Sequence, residues 1–143
     1  MLYRPFLQSD YEACYALWSA TEGIGLSDAD SRSNIEGFLQ HNPGLSFVAV
    51  DPGSGAMAGA VLCGCDGRRG YLHHLAVSPA YRRRGVGREL VRLCLAALSA
   101  IGVQKCHIFV IADNSGGRRF WEGVGWVQRT SLLIMSRDIP ASP

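Results

Sequence analysis

Arg82, Arg83, Arg84 and Arg88 fall within seven consecutive residues and flank two glycines, Gly85 and Gly87. After them comes an apolar stripe at helical spacing, Leu90, Val91, Cys94, Leu95, Leu98 and Ile101. Before them, residues 71–77 have the composition of a strand and end at Ser78-Pro79. A glycine loop between a strand and a helix start is suited to binding an anion. The first N–H groups of the helix lack intrahelical acceptors, the helix dipole favours negative charge, and glycine lets the backbone approach closely. Arginines add charge that suits phosphate. The loop lacks the G-K-[ST] of a nucleotide-triphosphate loop and the third glycine of a dinucleotide fingerprint. Taken alone, an arginine run is also compatible with a solvated face.

Other reactive side chains are sparser. Tyr71, His73, Leu75 and Val77 share one strand face by a period of two, which sends His74 to the opposite face as a structural residue. His41 and His107 have no constellation around them. Cys14, Cys63, Cys65, Cys94 and Cys106 are odd in number and contain no C-x-x-C pair. They read as buried, reduced thiols rather than zinc ligands or disulfides, so no metal is expected and a reducing compartment is favoured.

The elements that must position these residues follow from pattern. A strand is expected at residues 2–7, then a helix capped by Ser9 or Asp10 with Ala13, Cys14, Leu17 and Trp18 on one side. Ser27 or Asp28 is expected to cap a second helix reaching about Gln40, stopped by Pro43-Gly44. Strands are predicted at 45–50, 56–65 and 71–77, the last two joined by the turn residues Asp66-Gly67-Arg68-Arg69-Gly70. A helix over 85–101 ends at Gly102, a strand covers 105–111, a helix runs from Asn114 or Ser115 to about Val124, and 126–138 supply final strand material. The order predicts an α/β chain, a mixed sheet covered by helices.

The whole chain sets bounds. Its 143 residues, 48% hydrophobic and 18% charged, predict a single domain over 1–143 with a real core. A net charge of +2 gives no bulk argument for nucleic acid or membrane as a partner. No run approaches the length of a membrane span, and Met1-Leu2-Tyr3-Arg4-Pro5 does not begin a signal peptide. A soluble, cytoplasmic protein is the expectation.

Two separated segments resemble one family. Arg82-Arg83-Arg84-Gly85-Val86-Gly87 matches the [R/Q]-x-x-G-x-[G/A] signature of the GNAT superfamily of N-acetyltransferases. Leu75-Ala76-Val77-Ser78-Pro79 and Tyr81 look like its fourth strand and exit. Asn114 with Phe120-Trp121-Glu122-Gly123-Val124-Gly125-Trp126 is similar to its later N-x-x-A-x-x-[FL]-Y-x-x-x-G-[FWY] pattern. The resemblance implies the GNAT fold, with fourth and fifth strands splayed and helices on both faces, and acetyl-coenzyme A as acyl donor without a metal. It places backbone N–H groups from Arg83 to Arg88 on the coenzyme pyrophosphate and assigns Arg82, Gly85, Val86 and Gly87 to the same cradle. Leu75, Ala76 and Val77 would line the pantetheine arm through their main chains. Asn114 would lie near that arm, a role compatible with a plain helix N-cap.

Acetyl transfer to an amine needs a group to take the amine's proton, because an alkylamine has a pKa of about 10. It also needs a donor to the thioester oxygen, for which the backbone N–H of Leu75 or Val77 is suited. In the family the face that carries His73 meets the acceptor site. His73, with an ordinary pKa of about 6.5, is therefore the candidate general base, a structural strand histidine being the alternative. Trp121 departs from the pattern: the tyrosine expected there supplies a proton to the leaving thiolate, and an indole N–H is no usable acid. Tyr71 is a substitute acid by position.

The acceptor implied is a primary amine of a small molecule or peptide, with protein N-terminal or lysine acetylation as an alternative. A non-catalytic coenzyme A-binding module is a further alternative, motivated by Trp121. Glu22, Asp28 and Asp30 have the charge to attract a cationic amine, but a solvated loop is the preferred reading of that segment. The resemblance allows a homodimer.

Overall fold

The computed structural model describes residues 1–142 and divides into two compact units, Met1–Ile111 and a second from Ala112 onward. The first unit runs β1 (Leu2–Pro5), α1 (Tyr11–Ser19), α2 (Arg32–His41), β2 (Phe47–Val50), β3 (Met57–Cys65), β4 (Gly70–Val77), α3 (Val86–Ala100) and β5 (Cys106–Ile108). Its five strands lie in chain order; β1 to β4 are antiparallel and β5 joins β4 in parallel. The α/β fold with a mixed sheet is the one expected.

Local chemistry explains the boundaries. Asp66 Oδ1 accepts from the backbone N–H of Arg68 and Arg69, both at 2.8 Å, and closes the β3–β4 turn. At α1, Asp10 stands in the cap position but forms no side-chain cap bond. Its carboxylate instead takes both Arg4 Nη groups, at 2.7 and 2.9 Å, and the Leu7 N–H at 2.8 Å. The expected start of the second helix at Ser27 or Asp28 is corrected. Ser27 caps a separate 3-10 turn, Asp28–Asp30, and α2 begins at Arg32 under Ser31, whose Oγ accepts from Asn34 N–H. Two serine cap signals sit four residues apart, and each is used.

Helices cover both faces of this sheet. On one, Trp18 and Cys14 of α1 and Ile35 of α2 pack with Val48, Ala60, Leu62 and Ala76. On the other lies α3: a Cβ built at Gly70 would stand 2.5 Å from Leu98 Cδ1, and one at Gly59 would meet Leu90 and Val86. The neighbouring Cys63 thiol, then burial, push the Cys94 pKa up; burial pushes Cys14 and Cys106 up to about 12. All five cysteines are free, and three of them, Cys14, Cys63 and Cys94, are buried.

The second unit holds α4 (Ser115–Gly123), capped by Asn114, whose Oδ1 accepts from Gly117 N–H at 3.0 Å. The strand expected over 126–138 does not form among the described residues. Leu132 to Met135 are four consecutive apolar residues rather than an alternation, so no face and no register are specified. Leu133, Met135 and Ile139 are each 93% exposed, so burial offers no compensation for ordering a strand. The strand expected over 105–111 shortens to Cys106–Ile108.

Candidate active site

The first feature is a gap. β4 pairs with β5 only at Gly70↔Cys106, Tyr71↔His107 and Leu72↔Ile108. β4 then continues to Val77 while β5 ends, so the strands part and the β5-side edge of residues 73–77 is left without a strand neighbour. Leu75, Ala76 and Val77 lie on this stretch. The Val77 carbonyl accepts from Arg82 Nε at 2.9 Å, which ties the loop to the strand.

The second feature is the loop. Arg83 (φ 62°) and Gly85 (φ 78°) both adopt the left-handed region, and α3 opens at Val86 with no side-chain cap. The earliest main-chain bond of the helix runs from Glu89 N–H to the Gly85 carbonyl, so the N–H groups of Val86, Gly87 and Arg88 lack helical acceptors. Arg82, Arg83, Arg84 and Arg88 are exposed around them, with the Arg84 guanidinium 5.5 Å from the Tyr81 ring centroid. Tyr81 is anchored by donating to Asp51 Oδ2 at 2.8 Å. These are donors without helical acceptors in a positive field, chemically fitted to a pyrophosphate.

The third feature corrects the expected strand parity. Leu62 pairs with His73 and Ala60 with Ala76, so Val61 alone opposes His74 and Leu75: β4 carries a bulge. His74 takes φ 55° there. The bulge brings His74 onto the α1 side, where its ring lies 5.2 Å from Trp18 and its Nε2–H donates to Asp30 Oδ1 at 2.7 Å. His73 shares that side, 6.1 Å from Phe38 of α2 and 6.5 Å from Phe109. Val77, opposite Gly59, turns toward α3. Tyr71 and His73 therefore do not share a face with Leu75 and Val77, and His74 does not point away from His73. Burial first, and the neighbouring His74 second, hold the His73 pKa below its ordinary value, against a smaller opposing pull from Asp30.

Sequence reasoning missed the bulge and the His74–Asp30 pair. No glycine marks the bulge, and the partners are 44 residues apart. Of the acidic residues with the charge to attract an amine, Asp30 is occupied by His74 and by the Ser27 N–H. In the second unit, Trp121 packs edge-on against Trp126 at 5.1 Å and Phe120 at 5.2 Å, and its carbonyl accepts from Trp126 N–H. Among the described residues no group of three or more His, Cys, Asp or Glu side chains is placed to share a metal ion, and no helix is long and apolar enough to cross a membrane.

Comparison with known proteins agrees with this geometry. The sequence model of the acetyltransferase (GNAT) family matches residues 11–126. An acetyltransferase of Yersinia enterocolitica is 33% identical over 136 residues, covering 95% of this chain and 94% of that one. One of Pectobacterium atrosepticum is 36% identical over 111 residues, 78% and 77% of the two chains. Among solved structures, the aminoglycoside 6'-N-acetyltransferase of Acinetobacter haemolyticus superposes with a TM-score of 0.78 at 17% identity, over 98% and 100% of the chains. A chain of the NatC complex, solved with Gag peptide and CoA, gives 0.77 at 24% identity, over 90% and 86%. These two show a shared fold. The chain belongs to the acetyltransferase (GNAT) family and is an acetyl-coenzyme A-dependent N-acetyltransferase.

Proposed function

We propose that this enzyme moves an acetyl group from acetyl-coenzyme A to a primary amine of a small molecule or peptide, in the cytoplasm. The observation that carries the reading is the open edge of β4 leading into the uncapped start of α3. In this account the N–H groups of Val86, Gly87 and Arg88 bind the pyrophosphate, with Arg82, Arg83 and Arg84 supplying charge. The main chain of Leu75, Ala76 and Val77 lines the pantetheine arm, and a Leu75 or Val77 N–H donates to the thioester oxygen as negative charge develops there. His73 takes a proton from the amine nitrogen, which forms its bond to the acetyl carbon as the carbon–sulfur bond breaks. The sulfur leaves as thiolate, with a pKa of about 8.5 that needs no strong acid near neutrality. From the family resemblance, Asn114 and Trp121 are both assigned to cofactor binding, Trp121 lining the pantetheine arm with its ring. The half-buried position of His73 between Phe38 and Phe109 supports its role, because it favours the neutral, proton-accepting ring.

The test follows thiol release from acetyl-coenzyme A over a panel of polyamines, aminoglycosides, free amino acids and short peptides. Release that depends on one class of amine, with acetylated product, supports the reading; activity confined to a hydroxyl or thiol acceptor overturns it.

A further inference from the structure

Resting on the reading of His73 as the base, we propose that His74 and Asp30 are positioning residues for it: they clamp the β4 bulge to α1 and the 3-10 turn, and set the charge beside His73. Asp30 is 7% exposed and has every oxygen engaged. Oδ1 accepts from His74 at 2.7 Å, Oδ2 from Ser27 N–H at 3.0 Å, and its carbonyl from the Tyr11 hydroxyl at 2.6 Å. The His74 ring is held from the other side by Trp18, itself fully buried. A histidine at φ 55° is uncommon and persists where its surroundings over-determine it. Here the surroundings are α1, the turn and β3, all meeting at one side chain next to His73. A one-residue slip of this bulge would reverse the face on which His73 stands.

Electrostatics gives the pair a second effect. His74 on the same strand disfavours protonation of His73, and Asp30 on the turn favours it. Phe38 of α2 and Phe109, the residue after β5, lie against the His73 ring, while Tyr71 of β4 and His107 of β5 pack against each other. Replacing His74 by a residue that never carries charge removes the interaction that disfavours protonation of His73 and leaves the pull of Asp30 in place, so His73 becomes easier to protonate.

The two effects separate in two variants. His74→Gln keeps an N–H that reaches Asp30 but carries no charge; His74→Ala loses the clamp. In the full chain, the titration midpoint of the His73 ring proton, followed by NMR with His41 as internal control, should rise in His74→Gln. If that variant does not fold, His74→Asn, whose side chain tolerates the left-handed backbone, should show the same rise. An unmoved or lowered midpoint overturns the proposal. With an amine identified by the acceptor panel, His74→Gln should keep the high-pH kcat, while the pH at which the rate climbs moves up. His74→Ala should lower that kcat by about 10- to 100-fold with KM for acetyl-coenzyme A within about twofold. Asp30→Ala should match it, and the double variant should be no worse. Equal plateaus in His74→Ala and wild type overturn the clamp. If no amine is acetylated by wild type, the assigned reaction fails, and the ring-proton titration alone decides the pair.

Discussion

His73 differs from an ordinary surface histidine in one measurable respect. Burial, and then His74, hold its pKa below the usual histidine value. A general base works deprotonated, so kcat should rise with pH and reach its plateau by neutrality, with the midpoint on the acid side of about 6.5. His73→Gln should abolish that limb and lower kcat by about 10²–10⁴-fold while sparing acetyl-coenzyme A affinity. A full-rate His73→Gln with an unchanged pH profile removes His73 from the mechanism. At Trp121 the expectation concerns the leaving thiolate. Trp121→Tyr should leave acetyl-coenzyme A affinity unchanged and, where thiolate protonation limits turnover, raise the rate most at low pH. Collapse of activity in that variant would show that the indole shapes the site through its contacts with Phe120 and Trp126.

At the scale of elements, periodicity was enough to place α1, α3, α4 and the four long strands, because each has one apolar face or is bounded by turn chemistry. It failed where geometry depends on tertiary partners. The parity of β4 reverses between His73 and Ala76 through a bulge that no local residue announces, so neither the expected common face of His73, Leu75 and Val77 nor the expected opposite face of His74 is found. The 126–138 segment has apolar residues in a run, and without alternation or a ladder neighbour they do not make a strand. The turn into α3 at Arg83 and Gly85 was legible as a helix start because its signal is local, a glycine just before an apolar stripe at helical spacing. The His74–Asp30 pair was not, because it joins distant parts of the chain. Two glycines test the packing. Gly70→Ala would press its Cβ into Leu98 at 2.5 Å and should cost about 1–3 kcal/mol in urea unfolding. Gly37→Ala, inside α2 with nothing within 4 Å, should stabilise by about 0.5–1 kcal/mol. The opposite ranking would mean that α3 is not seated on β4 as described.

For the molecule as a whole, the proposed function draws on local charge and strand geometry rather than on bulk properties: a net +2 chain places three arginines on the loop after β4 and a fourth, Arg88, on the first turn of α3. The depression of about 400 Å³ bordered by Leu95, Leu98, Val103 and Cys106 lies at the other end of α3, about 20 Å from the loop by helix length. The central claim, that this loop holds the pyrophosphate of acetyl-coenzyme A, is tested most directly by the melting temperature of the full chain. At a ligand concentration one hundred times Kd, acetyl-coenzyme A should stabilise wild type by about 2.7 kcal/mol, a rise of several degrees. Free pantetheine, which lacks the pyrophosphate, should give little shift, and a folded Gly87→Val should lose most of the response. A wild-type melting temperature indifferent to saturating acetyl-coenzyme A, or raised as much by pantetheine, would contradict the account.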